Sequence, residues 1–203
     1  MLKASLMALL LLAASFMHSA HASLIFDEAV AGDLSDDNLA PSYVALGAGS
    51  TIITGTALAN PFDRDIFRIT VPDGQELAAI VLAAYISGDD QSFFAVAAGN
   101  TISSLVSPNA LLGNALIGAA PGAMQGDDIL DNLGALTFPG SAGFSGALGP
   151  GDYTFWLQEV TVGIREYALD FQLRSSSVPL PSTVPLFLLG LLGVALRRRH
   201  RTA

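Results

Sequence analysis

The residues of this sequence that are clustered closely enough to form a site are acidic. The densest patch consists of five acidic side chains near the start of the chain: Asp27, Glu28, Asp33, Asp36 and Asp37. Asp63 and Asp65 follow at the start of a predicted strand. Calcium takes about six to eight oxygen ligands and accepts irregular loops, so carboxylates from two loops suit a structural calcium site.

Two interpretations of these carboxylates remain open. As a calcium site, the candidate ligands are Asp33, Asp36, Asp37, Asp63 and Asp65, although their spacing is not that of an EF-hand loop. As a solvated surface, the same residues keep a secreted domain soluble and hold no ion. Structural calcium is therefore the one cofactor that the sequence suggests.

Most enzyme chemistry is excluded over the middle of the chain. Residues 23–174 contain no Cys, His or Lys, which removes Ser-His-Asp and Cys-His sites, Cys/His zinc sites and lysine Schiff bases. Paired carboxylates could serve a glycosidase, but these acids fall in predicted turns without a visible aromatic cleft. We therefore expect a non-catalytic protein, with a glycoside-active enzyme as a distant alternative.

The single tryptophan and a second acidic group each have two interpretations. Trp156 lies on the more polar face of its predicted strand, where it either stacks on a sugar or fills a second apolar layer. Stacking would make the domain a carbohydrate-binding or adhesive module that uses Trp156 and the acidic loops, with exopolysaccharide as partner. Asp127, Asp128 and Asp131 are predicted to form a solvated turn or a helix cap.

The elements that must position these residues are strands. Phe67, Ile69 and Val71 share one face of a predicted strand, and the alternation of apolar and polar residues over 167–174 is the cleanest in the chain. Residues 77–86 are apolar on both sides and are predicted to form a central strand, with another strand over 93–97. Residues 101–143 show no sustained period and predict a long excursion with one short helix.

Short strands separated by turns predict an all-β fold for residues 23–174, an antiparallel β-sandwich or jelly roll. The chain is acidic, with a formal net charge of -9. This negative charge argues against nucleic acid as a partner, because the phosphate backbone is negative as well. The sandwich is expected to be flanked by an N-terminal signal helix and a C-terminal transmembrane helix.

The N-terminus predicts a secretory signal peptide over residues 1–22. Lys3 provides the positive region, residues 6–16 form a short apolar stretch, and Ala20 and Ala22 give the small-x-small pattern for signal peptidase. Cleavage is expected before Ser23.

The C-terminus predicts a membrane anchor. A Ser/Pro linker over 175–183 precedes an apolar stretch over 184–196, about 20 Å of helix, and a basic tail over 197–203. The tail carries the cluster Arg197, Arg198, Arg199 and Arg201. By the positive-inside rule this end stays in the cytoplasm and the rest of the chain lies outside.

The residues of this anchor resemble a known sorting signal. Val178, Pro179, Leu180 and Pro181, followed by a short apolar helix and an arginine cluster, resemble the PEP-CTERM signal, although its commoner form has Glu in place of Leu180. The resemblance implies cleavage by exosortase in a Gram-negative exopolysaccharide producer. It also implies an exported precursor anchored in the inner membrane and a mature protein at the cell surface or outside the cell.

The middle of the chain carries a second resemblance. Residues 63–75, the segment 149–155 and Gly32-Asp33-Leu34-Ser35 resemble bacterial pre-peptidase C-terminal domains and the ectodomains of similar PEP-CTERM proteins. This resemblance implies a non-catalytic jelly roll, often with calcium.

Overall fold

The computed structural model describes residues 24–59, 62–86, 91–118, 121–135, 139–159 and 163–176. The predicted signal peptide with its cleavage site before Ser23 lies outside the described residues. So do the sorting motif, the predicted transmembrane helix and the basic tail. Within the ranges just given, no helix has the length and apolar character needed to cross a membrane.

Over these residues the chain forms two β-sheets. The strands are β1 (Leu24–Asp27), β2 (Ser42–Tyr43), β3 (Ser50–Leu58), β4 (Arg64–Val71), β5 (Gln75–Ile86), β6 (Gln91–Ala98), β7 (Gly113–Gly118), β8 (Gly151–Glu159) and β9 (Ile164–Ser175). One sheet has the order β1-β3-β9-β5 and the other the order β2-β4-β8-β6-β7. The short elements are helix α1 (Glu28–Ala31), a 3₁₀ turn (Pro108–Ala110) and helix α2 (Leu130–Ala135). The predicted all-β architecture is confirmed.

The sheets are mixed rather than purely antiparallel, which corrects the prediction. β1 runs parallel to β3 and β2 runs parallel to β4, while the other pairs are antiparallel. In each parallel pair the chain visits the opposite sheet before it returns, and such a crossover allows the second strand to run in the same direction.

β5 is a strand, as predicted, but it lies at a sheet edge and not at the centre. Its outer edge is covered by the excursion and by the segment that follows it. The amide of Ile129 donates to the carbonyl of Ile80 at 2.8 Å, and Leu77 and Leu148 exchange backbone hydrogen bonds of 2.8 and 3.0 Å. Ile129, Leu130 and Leu133 of this covering segment are buried. The apolar character that suggested a central strand therefore reflects this cover.

The excursion contains the predicted short helix, α2, and also a strand, β7, that the sequence analysis missed. β7 pairs with β6 along residues 113–118. Its first residue has to be small, because a side-chain carbon on Gly113 would overlap the carbonyl oxygen of Leu133. The strand was missed because two of its residues are glycines and its sequence does not alternate.

A stack of phenylalanines forms the centre of the core between the sheets. Phe155 stacks on Phe67 and Phe94 with ring centroids 5.6 and 5.7 Å apart, all three from the second sheet. Phe171 of the first sheet packs edge-on against Phe155 at 5.1 Å and Phe67 at 5.8 Å. All four side chains are fully buried, so burial together with edge-to-face contact joins the two sheets.

Replacing Phe155 by Ala is expected to lower the free energy of unfolding by about 3–5 kcal/mol, because it leaves a cavity where three ring contacts meet. Urea denaturation of the full-length chain in detergent measures this loss. Phe62→Ala is the matched control, since the Phe62 side chain is 47% exposed, and its expected effect is about 1 kcal/mol or less. Equal losses in the two variants would contradict the assigned core.

Candidate functional site

The structure brings three carboxylates together at one end of the space between the sheets. Glu28, Asp33 and Asp65 each offer one carboxylate oxygen, and these atoms lie within 4.8 Å of one another. Glu28 begins α1, Asp33 lies in the loop after it, and Asp65 lies on β4 of the opposite sheet. We refer to these three residues as the carboxylate cluster.

Asp65 occupies a core position. Side chains alternate along β4, so Asp65 lies on the same face as Phe67, Ile69 and Val71, which line the core. Its side chain has no exposed surface, and neither carboxylate oxygen forms a hydrogen bond with any of the described residues. Unpaired carboxylates in the interior are rare because burial without partners is unfavourable.

Glu28 is held by two backbone amides. Its Oε1 accepts a hydrogen bond from the amide of Leu34 at 2.8 Å, and its Oε2 accepts one from the amide of Thr56 at 2.8 Å. The first bond closes the loop after α1, and the second attaches that loop to β3. Asp27 caps α1 by accepting a hydrogen bond from the amide of Ala29 at 3.0 Å, which places Glu28 in the first turn.

Tyr167 and Gly55 complete the surroundings of the cluster. The Tyr167 hydroxyl lies beside Asp65 in the interior, although the two groups do not form a hydrogen bond of ordinary geometry. A side-chain carbon on Gly55 would overlap the Tyr167 hydroxyl and lie 3.0 Å from Oε2 of Glu28. Glycine at this position of β3 therefore leaves the space in which Glu28 and Tyr167 meet.

Burial and mutual repulsion raise the pKa values of these acids. Burial raises the pKa of Asp65 to about 9, and the charge of Glu28 adds to the effect. Burial also raises the pKa of Asp63 to about 6, with further contributions from Asp33 and Asp36. The pKa of Asp33 is raised by burial and by Glu28, and burial raises the pKa of the Tyr167 hydroxyl well above its ordinary value. The charged groups that act on Asp65 are thus all carboxylates.

A cleft of about 540 Å³ borders the cluster. Glu28, Asp33 and Tyr167 line this cleft, together with residues of β3, β5 and β9. Asp33 is exposed at its mouth, whereas Glu28 and Asp65 are buried. Asp65 does not line the cleft and has no exposed surface, so Glu28 and Asp33 are the members of the cluster that border it.

The structure places two of the five predicted calcium ligands in the carboxylate cluster and three outside it. Asp33 and Asp65 join the cluster, while Asp63 and Asp36 lie close enough to act on it electrostatically without being among its three members. Asp36 accepts a hydrogen bond from the amide of Arg64 at 2.7 Å, and Asp37 accepts one from the amide of Leu39 at 2.8 Å. Asp37 therefore stabilises its own turn.

Glu28 was not grouped with the predicted ligands, although the sequence places it in the same acidic patch. Its membership depends on the packing of α1 against β3, which no local pattern shows. The position of Asp65 could have been found, because it shares the alternating apolar face of Phe67 and Ile69.

In the second acidic group, Asp127 and Asp128 accept hydrogen bonds from backbone amides and so stabilise the local fold. Asp128 accepts hydrogen bonds from the amides of Leu130 and Ile80, both at 3.0 Å, so it caps the start of α2 and attaches the excursion to β5. Asp127 accepts a hydrogen bond from the amide of Met124 at 3.0 Å. Both fit the predicted turn and helix cap.

Trp156 fills a second apolar layer on the outer face of the second sheet. Its side chain is 7% exposed and packs with Ile66, Ile102 and Leu111. Phe93 meets it edge-on at a ring separation of 4.7 Å. Trp156 and Phe93 line a cleft of about 330 Å³ at this layer, together with Leu105 and Leu111. The low exposure of Trp156 leaves little of its ring available for a sugar to stack on.

A family model for a protein-sorting signal matches the C-terminus, which makes this chain an exported protein that exosortase sorts from a membrane-anchored precursor. The matched signal is the PEP-CTERM protein-sorting motif, over residues 177–199. It confirms the resemblance found at Val178, Pro179, Leu180 and Pro181. The resemblance of the middle of the chain to pre-peptidase domains stays a prediction.

Comparison with curated proteins found no match. Among solved structures, the chain is similar to Aeromonas hydrophila PliG, a periplasmic inhibitor of g-type lysozyme, with 14% identity and a TM-score of 0.34 over 75% of this chain and 100% of that one. It is also similar to Salmonella Typhimurium PliG, with 13% identity and a TM-score of 0.33 over 66% of this chain and 98% of that one. TM-scores of this size do not establish a shared fold.

The carboxylate cluster predicts that the metal-free protein loses stability as the pH rises. The pKa of Asp65 is 3.8 in the unfolded reference and about 9 in the folded protein. Between these values folded Asp65 holds a proton that unfolding releases, so the free energy of unfolding falls as the pH rises. Thermal melts in chelator should give a midpoint lower at pH 8 than at pH 5, by on the order of 5 °C or more.

Asp65→Asn keeps this position neutral at every pH and should reduce the difference between the two midpoints. Asp37→Asn makes the same chemical change in an exposed turn and should leave the difference as in the parent chain. A parent midpoint that is equal at the two pH values, or higher at pH 8, would contradict the described environment of Asp65.

Proposed function

We propose that this protein is a non-catalytic, exported component of the cell surface or extracellular matrix of a Gram-negative exopolysaccharide producer. The observation that carries the proposal is the sorting motif over residues 177–199. Signal peptidase would remove residues 1–22, and residues 184–196 would hold the precursor in the inner membrane. Exosortase would then cut near Pro181 and release the sandwich from its anchor.

The carboxylate cluster supports the non-catalytic part of this proposal. A glycosidase needs two carboxyl groups that both reach the scissile bond. Asp65 has no exposed surface, and both oxygens of Glu28 already accept backbone hydrogen bonds. Asp33 is the exposed member, and one exposed carboxylate does not provide an acid and a base. The cluster is therefore better suited to a structural role than to hydrolysis.

The environment of Trp156 bears on the carbohydrate-binding alternative. That alternative expects Trp156 and the acidic loops to contact the same ligand. The ring instead packs under the segment that contains Leu105 and Leu111, on the outer face of the second sheet, whereas the carboxylate cluster lies between the sheets. These two features do not form one binding surface, so we favour the structural role.

Changing Arg197, Arg198 and Arg199 together to Glu is expected to reduce exosortase processing by tenfold or more, because basic residues hold this end of the anchor in the cytoplasm. Immunoblotting of envelope and medium fractions from an exosortase-containing host measures precursor and mature protein. The matched control changes the same three residues to Lys, which keeps the positive charge and should preserve processing. Normal trimming of the Glu variant would contradict the sorting mechanism.

A further inference from the structure

The cleft beside Trp156, on the outer face of the second sheet, is separate from the carboxylate cluster. One side of it is formed by Phe93 of β6 and by Trp156 and Gln158 of β8, and the other side by residues of the segment 105–111. Its volume of about 330 Å³ lies within the range of about 300–1,000 Å³ that is typical of small-molecule sites. We refer to it as the outer cleft.

The lining of the outer cleft is apolar and carries no charge. Its apolar residues are Phe93, Leu105, Val106, Pro108, Leu111 and Trp156. The polar residues that line it are Ser107 and Gln158, and neither side chain is ionisable. A charged ligand would lose its water here without meeting an opposite charge, which is unfavourable. The lining therefore suits a neutral and mainly apolar ligand.

Two hydrogen-bond donors at the outer cleft have no acceptor among the residues that the structure describes. The indole N–H of Trp156 is buried and unpaired. The side-chain oxygen of Gln158 accepts a hydrogen bond from Nε of Arg64 at 3.1 Å, which leaves its NH₂ group as an unpaired donor. Because a buried donor without a partner is unfavourable, a ligand that supplies an acceptor gains affinity here.

We propose that the outer cleft binds a small, neutral aromatic molecule that carries a hydrogen-bond acceptor such as a carbonyl oxygen. A dry apolar cavity of about 150 Å³ holds one benzene ring, so the outer cleft has room for two fused rings with a small substituent. Phe93 and Trp156 already meet edge-on at 4.7 Å, and a ligand ring can extend this aromatic packing.

A sugar matches the same lining less well. Each sugar ring carries several hydroxyl groups that need hydrogen-bond partners, whereas most of the residues that line the outer cleft are apolar. Since no ionisable side chain lines the outer cleft, the affinity for a neutral ligand is expected to be the same at pH 5 and pH 8. This inference goes beyond the proposed function and does not depend on it.

The test uses the fact that Trp156 is the single tryptophan of the chain. The full-length chain in lipid nanodiscs, with isotope-labelled tryptophan, gives one indole N–H signal in a nitrogen–proton NMR spectrum. Titration with 2-acetylnaphthalene should move this signal until it saturates. Equilibrium dialysis against empty nanodiscs sets the free concentration of the probe, so that its uptake by lipid is not counted as binding.

A variant with a matched control assigns the binding to the outer cleft. Leu105→Ala removes part of the apolar lining and should weaken the binding of 2-acetylnaphthalene about fivefold or more. Leu39→Ala makes the same change at an exposed leucine that does not line the outer cleft and should bind the probe as the parent chain does. Circular dichroism checks that each variant keeps its β structure.

A second variant and a second probe test the chemistry of the ligand. Gln158→Glu keeps an oxygen for Arg64 but replaces the NH₂ donor, so it should weaken the binding of 2-acetylnaphthalene about tenfold or more. The compound 2-naphthoate has the same two rings with a carboxylate in place of the acetyl group. It should bind the parent chain about tenfold more weakly or worse, because the lining offers no cation. This comparison of probes needs no variant to fold.

Three results would overturn the proposal. They are an indole signal that does not move at up to about 1 mM of free 2-acetylnaphthalene, the weakest affinity expected for a compound of this size; equal affinities in Leu105→Ala and Leu39→Ala; and binding of 2-naphthoate as tight as that of 2-acetylnaphthalene. Unchanged affinity in Gln158→Glu would overturn the assignment of the donor.

Discussion

The contact of Phe171 with Phe67 and Phe155 is the interaction on which the rest of the structure depends. Phe171 lies on β9, an inner strand of one sheet, and Phe155 lies on β8, an inner strand of the other. Their edge-to-face packing sets how the two sheets face each other. Because side chains alternate along a strand, the register that buries these rings also decides which other residues face inward.

The same register places polar groups at one end of the core. On β4 the row that contains Phe67 also contains Asp65, and on β9 the row that contains Phe171 also contains Tyr167. A shift of one residue would expose Asp65 and would also expose the phenylalanines. The large apolar gain from the rings therefore holds Asp65 in the interior, although an isolated carboxylate there is unfavourable. Glu28 and Asp33 meet it because α1 and its loop lie across the end of β3.

The sequence allowed the fold to be predicted where one face of a strand is buried. The sequences of β4 and β9 alternate between apolar and polar residues, and both strands were identified. The position of β5 was wrong because a sequence apolar on both faces does not show whether its neighbours are strands or a covering loop. β7 was missed since glycine supplies close packing against Leu133 without an apolar pattern. The site was predicted in part, because Glu28, Asp33 and Asp65 come from separate elements that tertiary packing brings together.

The central claim is that this acidic sandwich is exported and separated from its C-terminal anchor by exosortase. The mass of the C-terminal peptide of the mature protein, recovered from the medium or cell surface of an exosortase-containing host, tests it most directly. The account predicts a peptide that ends near Pro181 and lacks the apolar stretch and Arg197, Arg198 and Arg199. A mature protein that retains the C-terminus through Ala203 would contradict it.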